Sequence, residues 1–116
     1  MIELNRLTNG NMDLFAIHCH DTYGMALTNI VESLEHGIKV IDSSCAGLGG
    51  CPYASSSKGA VSGNVATEDV VYLLDSLGVN TGVNIDKILD ASDFILNILD
   101  RKQISKVALA LAGKRK

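Results

Sequence analysis

Two stretches of the chain have the apolar spacing of β-strands. Between residues 14 and 20, positions alternate so that His18 and His20 share one face and Cys19 lies on the other. Residues 39–44 are rich in Val and Ile, which favour strands. We therefore expect strands over both stretches.

Helical spacing of apolar residues follows each predicted strand. It predicts one helix over residues 25–35, and a second that begins with Thr67 as its N-cap and ends at Gly78. Glu68 and Asp69 fall in the first turn of the second helix, where the helix dipole favours negative charge.

The last third of the chain is predicted to be mostly helical. We expect a short third strand over 79–83, an amphipathic helix over 85–99 and a last helical piece over 105–112. Strands that alternate with helices indicate an α/β fold with a parallel sheet, in which ligands sit at the carboxyl ends of the strands. A closed (β/α)8 barrel takes about 250 residues, so three units in 116 residues are only part of one.

Composition excludes several classes of protein. The chain is 47% hydrophobic and 20% charged with a net charge of -3, which is typical of a globular domain and gives no basic surface for nucleic acid. Its apolar runs are too short to span a bilayer, and its start has no signal-peptide pattern. An odd count of three cysteines argues against a disulfide framework. We expect a cytoplasmic protein that binds neither nucleic acid nor a membrane.

His18 and His20 end the first predicted strand. Their spacing points both imidazoles to one face, and two neutral imidazoles make half of a divalent-metal site. The alternative is that one is a packed core histidine and the other a capping or loop residue. Because Asp21 follows and two other motifs accompany the pair, we favour the metal site. Cys19 faces the opposite way and is expected to be a small buried hydrophobe.

Cys51 lies in a glycine-rich loop beside the one proline of the chain, in residues 47–52 (GLGGCP). Such a loop lets the backbone approach a ligand closely and exposes the thiol. A thiol there can act as a nucleophile, a proton donor or a metal ligand, and the alternative is an accessible but inert thiol. Zinc is not expected, because no pair of cysteines has the C-x-x-C spacing.

Asn64 follows Gly63 just before the second helix. Its amide oxygen can complete an oxygen-rich coordination shell, whereas the alternative is an ordinary turn asparagine. The paired histidines, the glycine-framed thiol and this Gly-Asn turn together indicate a metal-assisted enzyme that acts on a carbon skeleton.

These segments together resemble the 3-hydroxy-3-methylglutaryl-CoA lyase family. The resemblance extends from Phe15 to about Val107. The H-x-H-D element is shared with related synthases and with pyruvate carboxylase-type barrels, whereas the glycine-framed cysteine loop is specific to the lyase. The matching segments are residues 16–24 (AIHCHDTYG), 42–54 (DSSCAGLGGCPYA), 63–72 (GNVATEDVVY) and 80–84 (NTGVN).

The resemblance implies a (β/α)8 barrel that cleaves 3-hydroxy-3-methylglutaryl-CoA to acetyl-CoA and acetoacetate with Mg²⁺ or Mn²⁺. It implies His18, His20 and Asn64 as metal ligands, with His18 nearest the reacting hydroxyl. It also implies that Cys51 helps to protonate the departing acetyl-CoA enolate. Residues 1–12 would be a lead-in segment and residues 13–116 a partial barrel domain with its last three βα units.

The chain departs from the family pattern in two ways. Residues 55–61 form a small insertion between the cysteine and the metal asparagine. The family's first-strand Arg-Asp pair, a metal ligand and an enolate-stabilising residue, has no counterpart here, since the first five βα units are absent. We therefore expect association with an N-terminal barrel half or with a second copy of the chain, and little activity from the isolated monomer.

Two other interpretations remain open. The chain could be a non-catalytic remnant or a barrel-pairing module, which an added N-terminal half would not make active. It could also be a related Claisen-type synthase, which the lyase-like cysteine loop disfavours.

Overall fold

The computed structural model describes residues 2–50 and 63–114 of the chain. Two short parallel strands and a third extended segment pack against helices. The elements are α1 (Ile2–Leu7), β1 (Ala16–His18), α2 (Ala26–Glu35), β2 (Val40–Asp42), α3 (Thr67–Ser76), α4 (Ile85–Leu99) and α5 (Lys106–Leu111). The α/β class and both predicted strands are confirmed, although each strand is shorter than expected. No helix of the described ranges is long and apolar enough to cross a membrane.

The register between β1 and β2 sets the two faces of the sheet. The strands are parallel, with Ile17 opposite Ile41 and His18 opposite Asp42. Side chains alternate along a strand, so the two isoleucines share one face and pack against the core. His18 and Asp42 share the other face, which is exposed.

A third extended segment, Asn64–Ala66, joins the carboxyl ends of both strands. The Val65 N–H donates to the Cys19 carbonyl at 3.1 Å, and the Val65 carbonyl accepts from the Ser44 N–H at 3.1 Å. Isolated bridges pair His20 with Asn64 and Ser44 with Ala66. The segment leads directly into α3, so it occupies the place of a third strand.

The predicted strand over residues 79–83 is wrong. The structure shows no regular element there. Instead the Asn80 and Thr81 side chains accept hydrogen bonds from the Gly82 and Val83 N–H groups at 3.0 and 3.1 Å. These local side-chain bonds take up backbone donors that a strand would need for pairing.

The helix boundaries agree closely with the sequence pattern, with one correction at a cap. Ala66, not Thr67, is the N-cap of α3, and no side chain caps that end. The Thr67 hydroxyl lies 2.9 Å from the Ser43 hydroxyl instead, because Thr67 has already entered the helix. The last two helices do have side-chain caps, from Asn84 and Ser105.

The core lies between the sheet, α2 and α3. Cys19 is part of it, which confirms its prediction as a small buried hydrophobe. Ile30 is the largest aliphatic side chain that is fully buried. The other buried members of the cluster are Ala26, Val65, Val70 and Leu74.

We predict that Ile30→Ala lowers the free energy of unfolding by about 2–5 kcal/mol, because it leaves a cavity beneath the sheet. Ile98→Ala is the matched control, since Ile98 also lies in a helix but is 63% exposed, against 0% for Ile30. The control should change stability by less than about 0.5 kcal/mol. Urea unfolding of both variants measures the difference, and equal midpoints would contradict this description of the core.

Candidate functional site

The two predicted histidines converge at the end of β1. The Nε2 atoms of His18 and His20 lie 3.2 Å apart, and the ring planes are inclined at 61°. His18 is held by strand pairing with β2, and His20 by its bridge to Asn64. The His20 Nδ1 atom is buried and has no hydrogen-bond partner among the described residues. The prediction that both rings share one face is confirmed.

Asn64 lies beside this pair. Its backbone pairs with His20, and its side-chain Nδ2 donates to the Leu48 carbonyl at 3.0 Å. Because the amide nitrogen donates that hydrogen bond, the amide oxygen is the atom that remains to bind a cation. Asn64 is therefore more than a turn residue, since it connects the glycine-rich turn to the second histidine.

Close backbone packing holds the glycine-rich turn against Asn64. A Cβ on Gly63 would lie 2.1 Å from the Gly47 carbonyl oxygen, and a Cβ on Gly49 would lie 2.7 Å from the Asn64 Nδ2. Gly47 and Gly49 also have φ values of 63° and 120°, which a side chain would strain. Glycine is thus required at residues 49 and 63 by tight contacts, and at residues 47 and 49 by positive φ angles. Cys51, the predicted proton donor, lies outside the described residues, as does the insertion at 55–61.

The geometry of the histidine pair fits a divalent cation. Two ligands about 2.1 Å from an octahedral ion and at right angles to each other have donor atoms about 3 Å apart. The 3.2 Å between the two Nε2 atoms matches that separation. Within residues 2–50 and 63–114, no group of three or more His, Cys, Asp and Glu side chains could hold a metal ion. The two imidazole nitrogens are thus spaced as two neighbouring ligands of such an ion would be.

Asp21 does not join the histidines. Its Oδ1 accepts the Ala26 N–H at 3.0 Å, which ties the loop after β1 to the start of α2. Asp21, Gly63, Asn64 and Lys106 contribute to the lining of an open cavity of about 290 Å³, and neither His18 nor His20 lines it. The carboxylate next to the histidine motif thus has a structural partner.

Glu68 supports the turn from below, a role that sequence reasoning missed. Its side chain is fully buried, and both carboxylate oxygens lie 3.0 Å from the Ala46 N–H. Ser92 of α4 donates a further hydrogen bond to the Oε1 atom. Ala46 has a φ of 55°, so the carboxylate stabilises an unfavourable backbone conformation just before the glycines. The sequence pattern does not predict this inward direction, because an acidic residue in the first turn of a helix is usually explained by the helix dipole.

Asp69, the next acid in α3, holds the C-terminal segment. Its Oδ1 accepts hydrogen bonds from the Ser105 hydroxyl at 2.7 Å and the Val107 N–H at 2.9 Å. Since Ser105 in turn caps α5, this carboxylate fixes the start of the last helix against α3. Glu68 and Asp69, which we expected to interact with the helix dipole, thus connect α3 to the turn at Ala46, to α4 and to the start of α5.

The surroundings of the Cys19 side chain disfavour its thiolate form. Burial raises its pKa above the usual thiol value, and the nearby Asp21 carboxylate raises the pKa further. A thiolate is the reactive form of cysteine. Cys19 is therefore a packing residue between the two histidines in sequence and lacks the features of a nucleophile.

Comparisons with known proteins assign the family. Residues 3–95 match the family model described as HMGL-like, and the chain belongs to that family. Mouse mitochondrial hydroxymethylglutaryl-CoA lyase is 62% identical over 95 residues, which are 82% of this chain and 28% of that protein. Human cytoplasmic 3-hydroxy-3-methylglutaryl-CoA lyase is 59% identical over 82% of this chain and 25% of its own length. The chain thus spans less than a third of these relatives.

Solved lyase structures share the fold of the chain. The hydroxymethylglutaryl-CoA lyase of Pseudomonas aeruginosa superposes with a TM-score of 0.83 at 45% identity, covering 97% of this chain and 38% of that one. A lyase from Acinetobacter baumannii, solved with coenzyme A and 3-methylmalate, gives a TM-score of 0.77 at 31% identity over 91% of this chain and 33% of that one. The resemblance stated from sequence is confirmed at the level of family and fold.

We predict that Glu68→Ala lowers the free energy of unfolding by at least about 2 kcal/mol, because buried donors on Ala46 and Ser92 lose their acceptor at about 1–3 kcal/mol each. Glu35→Ala, at an exposed position of α2, is the control and should be nearly neutral. Urea unfolding compares the two variants, and a neutral Glu68→Ala would refute the buried role.

We also predict that Cys19 reacts slowly with iodoacetamide at pH 8 in the folded chain, because its raised pKa suppresses the thiolate. The variant Cys45→Ser/Cys51→Ser leaves Cys19 as the one thiol. Its alkylation should accelerate strongly in denaturing urea, which mass spectrometry follows. Equal rates in the two conditions would contradict the burial of this side chain.

Proposed function

We propose that this chain is the C-terminal part of a hydroxymethylglutaryl-CoA lyase and forms the last three βα units of a (β/α)8 barrel. The parallel pair of β1 and β2 and the parallel bridge of Ser44 to Ala66 support this architecture, in which the segment Asn64–Ala66 would be the last strand. Along the chain, β1 is followed by α2, β2 by the glycine-rich turn, and the segment Asn64–Ala66 by α3. The superposition on the Pseudomonas lyase supports this architecture.

The proposed reaction breaks a carbon–carbon bond of 3-hydroxy-3-methylglutaryl-CoA and yields acetyl-CoA and acetoacetate. The observation that carries this proposal is the 3.2 Å approach of the two Nε2 atoms beside Asn64, in a chain of the HMGL-like family. The coenzyme A found in the Acinetobacter relative supports an acyl-CoA substrate. Because its relatives include mitochondrial and cytoplasmic proteins, our expectation of a cytoplasmic location remains a proposal.

His18, His20 and Asn64 would hold Mg²⁺ or Mn²⁺. A bound divalent ion would supply Lewis-acid polarisation of the substrate hydroxyl, which eases its deprotonation as it becomes a ketone. His18 would lie nearest that hydroxyl. The glycine turn keeps the backbone of residues 47–49 close to Asn64. Cys51 would donate a proton to the departing enolate carbon of acetyl-CoA.

A second candidate is a non-catalytic barrel-pairing module. It is favoured by the incomplete ligand set, since no group of three or more His, Cys, Asp and Glu side chains in the described part of the chain could hold a metal ion. Under this interpretation the chain would associate with an N-terminal barrel half without forming a working site.

A chimera distinguishes these two functions. In it, this chain replaces the matching C-terminal segment of the mouse lyase, to which it is 62% identical. We expect the chimera to release acetoacetate from 3-hydroxy-3-methylglutaryl-CoA with Mg²⁺ or Mn²⁺, and the isolated chain to release little or none. A folded chimera without activity would favour the pairing module. Condensation of acetyl-CoA with a 2-oxo acid would instead indicate a synthase.

Substitutions in the chimera then test the site. His20→Ala should reduce acetoacetate release by more than about 100-fold, since losing a ligand exceeds the 10–100-fold effect of losing an outer partner. His36→Ala is the matched control, because that histidine pairs with Glu32 at the end of α2, away from β1. Equal activities of the two variants would exclude the histidine pair from the reaction.

A further inference from the structure

The two ring nitrogens of His18 face different groups. Its Nε2 lies 3.2 Å from the His20 Nε2, whereas its Nδ1 lies 3.9 Å from the Asp42 Oδ2. A neutral imidazole carries one proton, so one nitrogen donates and the other accepts. Which nitrogen carries the proton decides whether Nε2 can bind a cation.

We propose that Asp42 is a positioning residue that keeps the proton of the neutral His18 ring on Nδ1 and so presents the Nε2 lone pair to the divalent cation. The inference rests on the proposed function for the cation, and its first test requires no metal. An ionised carboxylate only accepts hydrogen bonds, so it stabilises the tautomer whose N–H is directed toward it.

The strand register places Asp42 at this position. His18 and Asp42 are direct partners in the parallel pairing of β1 with β2, so both side chains project from the same face. The Ser44 N–H, two residues beyond Asp42, donates to Val65 and fixes the end of the strand. The register thus places both side chains on one face of the sheet, where they are 52% and 62% exposed.

Asp42 is an outer partner and not a ligand of the same ion. Its carboxylate lies at Nδ1, and the cation position defined by the two histidines lies at Nε2, on the other side of the ring. The 3.9 Å separation exceeds a direct hydrogen bond, but a full negative charge beside Nδ1 still favours a proton there. Carboxylates behind metal-binding histidines commonly fix the tautomer in this way.

The contacts of His20 agree with this assignment. In the metal-free chain, an unprotonated His18 Nε2 accepts a hydrogen bond from a protonated His20 Nε2, whose proton a bound cation would displace. The His20 Nδ1 is then the unprotonated nitrogen, and it is the buried atom without a hydrogen-bond partner in the described part of the chain. The opposite assignment would leave a buried N–H of His20 without an acceptor, which costs more than an unused lone pair.

The first test reads the tautomers by ¹⁵N NMR of the metal-free chain at about pH 8, above the ordinary imidazole pKa of about 6.5. We expect a predominantly Nδ1–H form of His18, with a large loss of that population in Asp42→Asn. Asp75→Asn, at an exposed position of α3, is the matched control and should leave the His18 signals unchanged. A predominantly Nε2–H form in the unaltered chain, or no change in Asp42→Asn, would overturn the proposal.

The second test measures the affinity for Mn²⁺ by the electron paramagnetic resonance signal of the free ion. Asp42→Asn should weaken binding about 10–100-fold, the usual effect of an outer-shell partner. Asp75→Asn should not weaken it. Unchanged binding in Asp42→Asn would overturn the proposal, whereas absence of Mn²⁺ binding in the unaltered chain, with the expected tautomers present, would count against the proposed metal site alone.

Discussion

The backbone of Val65 holds the carboxyl ends of both strands, and the arrangement of the candidate site depends on that junction. Its N–H donates to the Cys19 carbonyl and its carbonyl accepts from the Ser44 N–H, one residue beyond β1 and two residues beyond β2. Because Cys19 lies between the two histidines in sequence, the bond from the Val65 N–H holds the backbone that carries both of them. Asn64 precedes Val65 and is therefore placed at the site by the peptide chain itself.

The candidate site has one side packed against the protein and one side exposed. Below it lie the apolar core and the buried Glu68 carboxylate, whose hydrogen bonds hold the turn before the glycines. Above it the imidazoles lie on the exposed face of β1. Under the proposed function, such an arrangement suits a site completed by another part of a barrel, because the two imidazoles are oriented before the remaining groups arrive.

Much of the local structure follows from the sequence pattern. Helix α4 begins and ends where the spacing predicts, and the common face of His18 and His20 follows from strand alternation. The strand expected over residues 79–83 fails for a local reason, since the Asn80 and Thr81 side chains accept hydrogen bonds from nearby N–H groups. Other features were missed because they depend on partners that are distant in sequence. The short segment at Asn64–Ala66 has no strand pattern of its own, and its extended form comes from bonds to Cys19 and Ser44. The inward direction of Glu68 likewise depends on Ala46 and Ser92.

The close contact of Gly47 with Gly63 couples the glycine-rich turn to the candidate site. A Cβ on Gly63 would lie 2.1 Å from the Gly47 carbonyl oxygen, so the backbone at this point has no room for a side chain. Beside the same contact, the Asn64 Nδ2 donates to the Leu48 carbonyl. A side chain at residue 63 would therefore push the two backbone segments apart and displace the Asn64 amide from the turn that holds it.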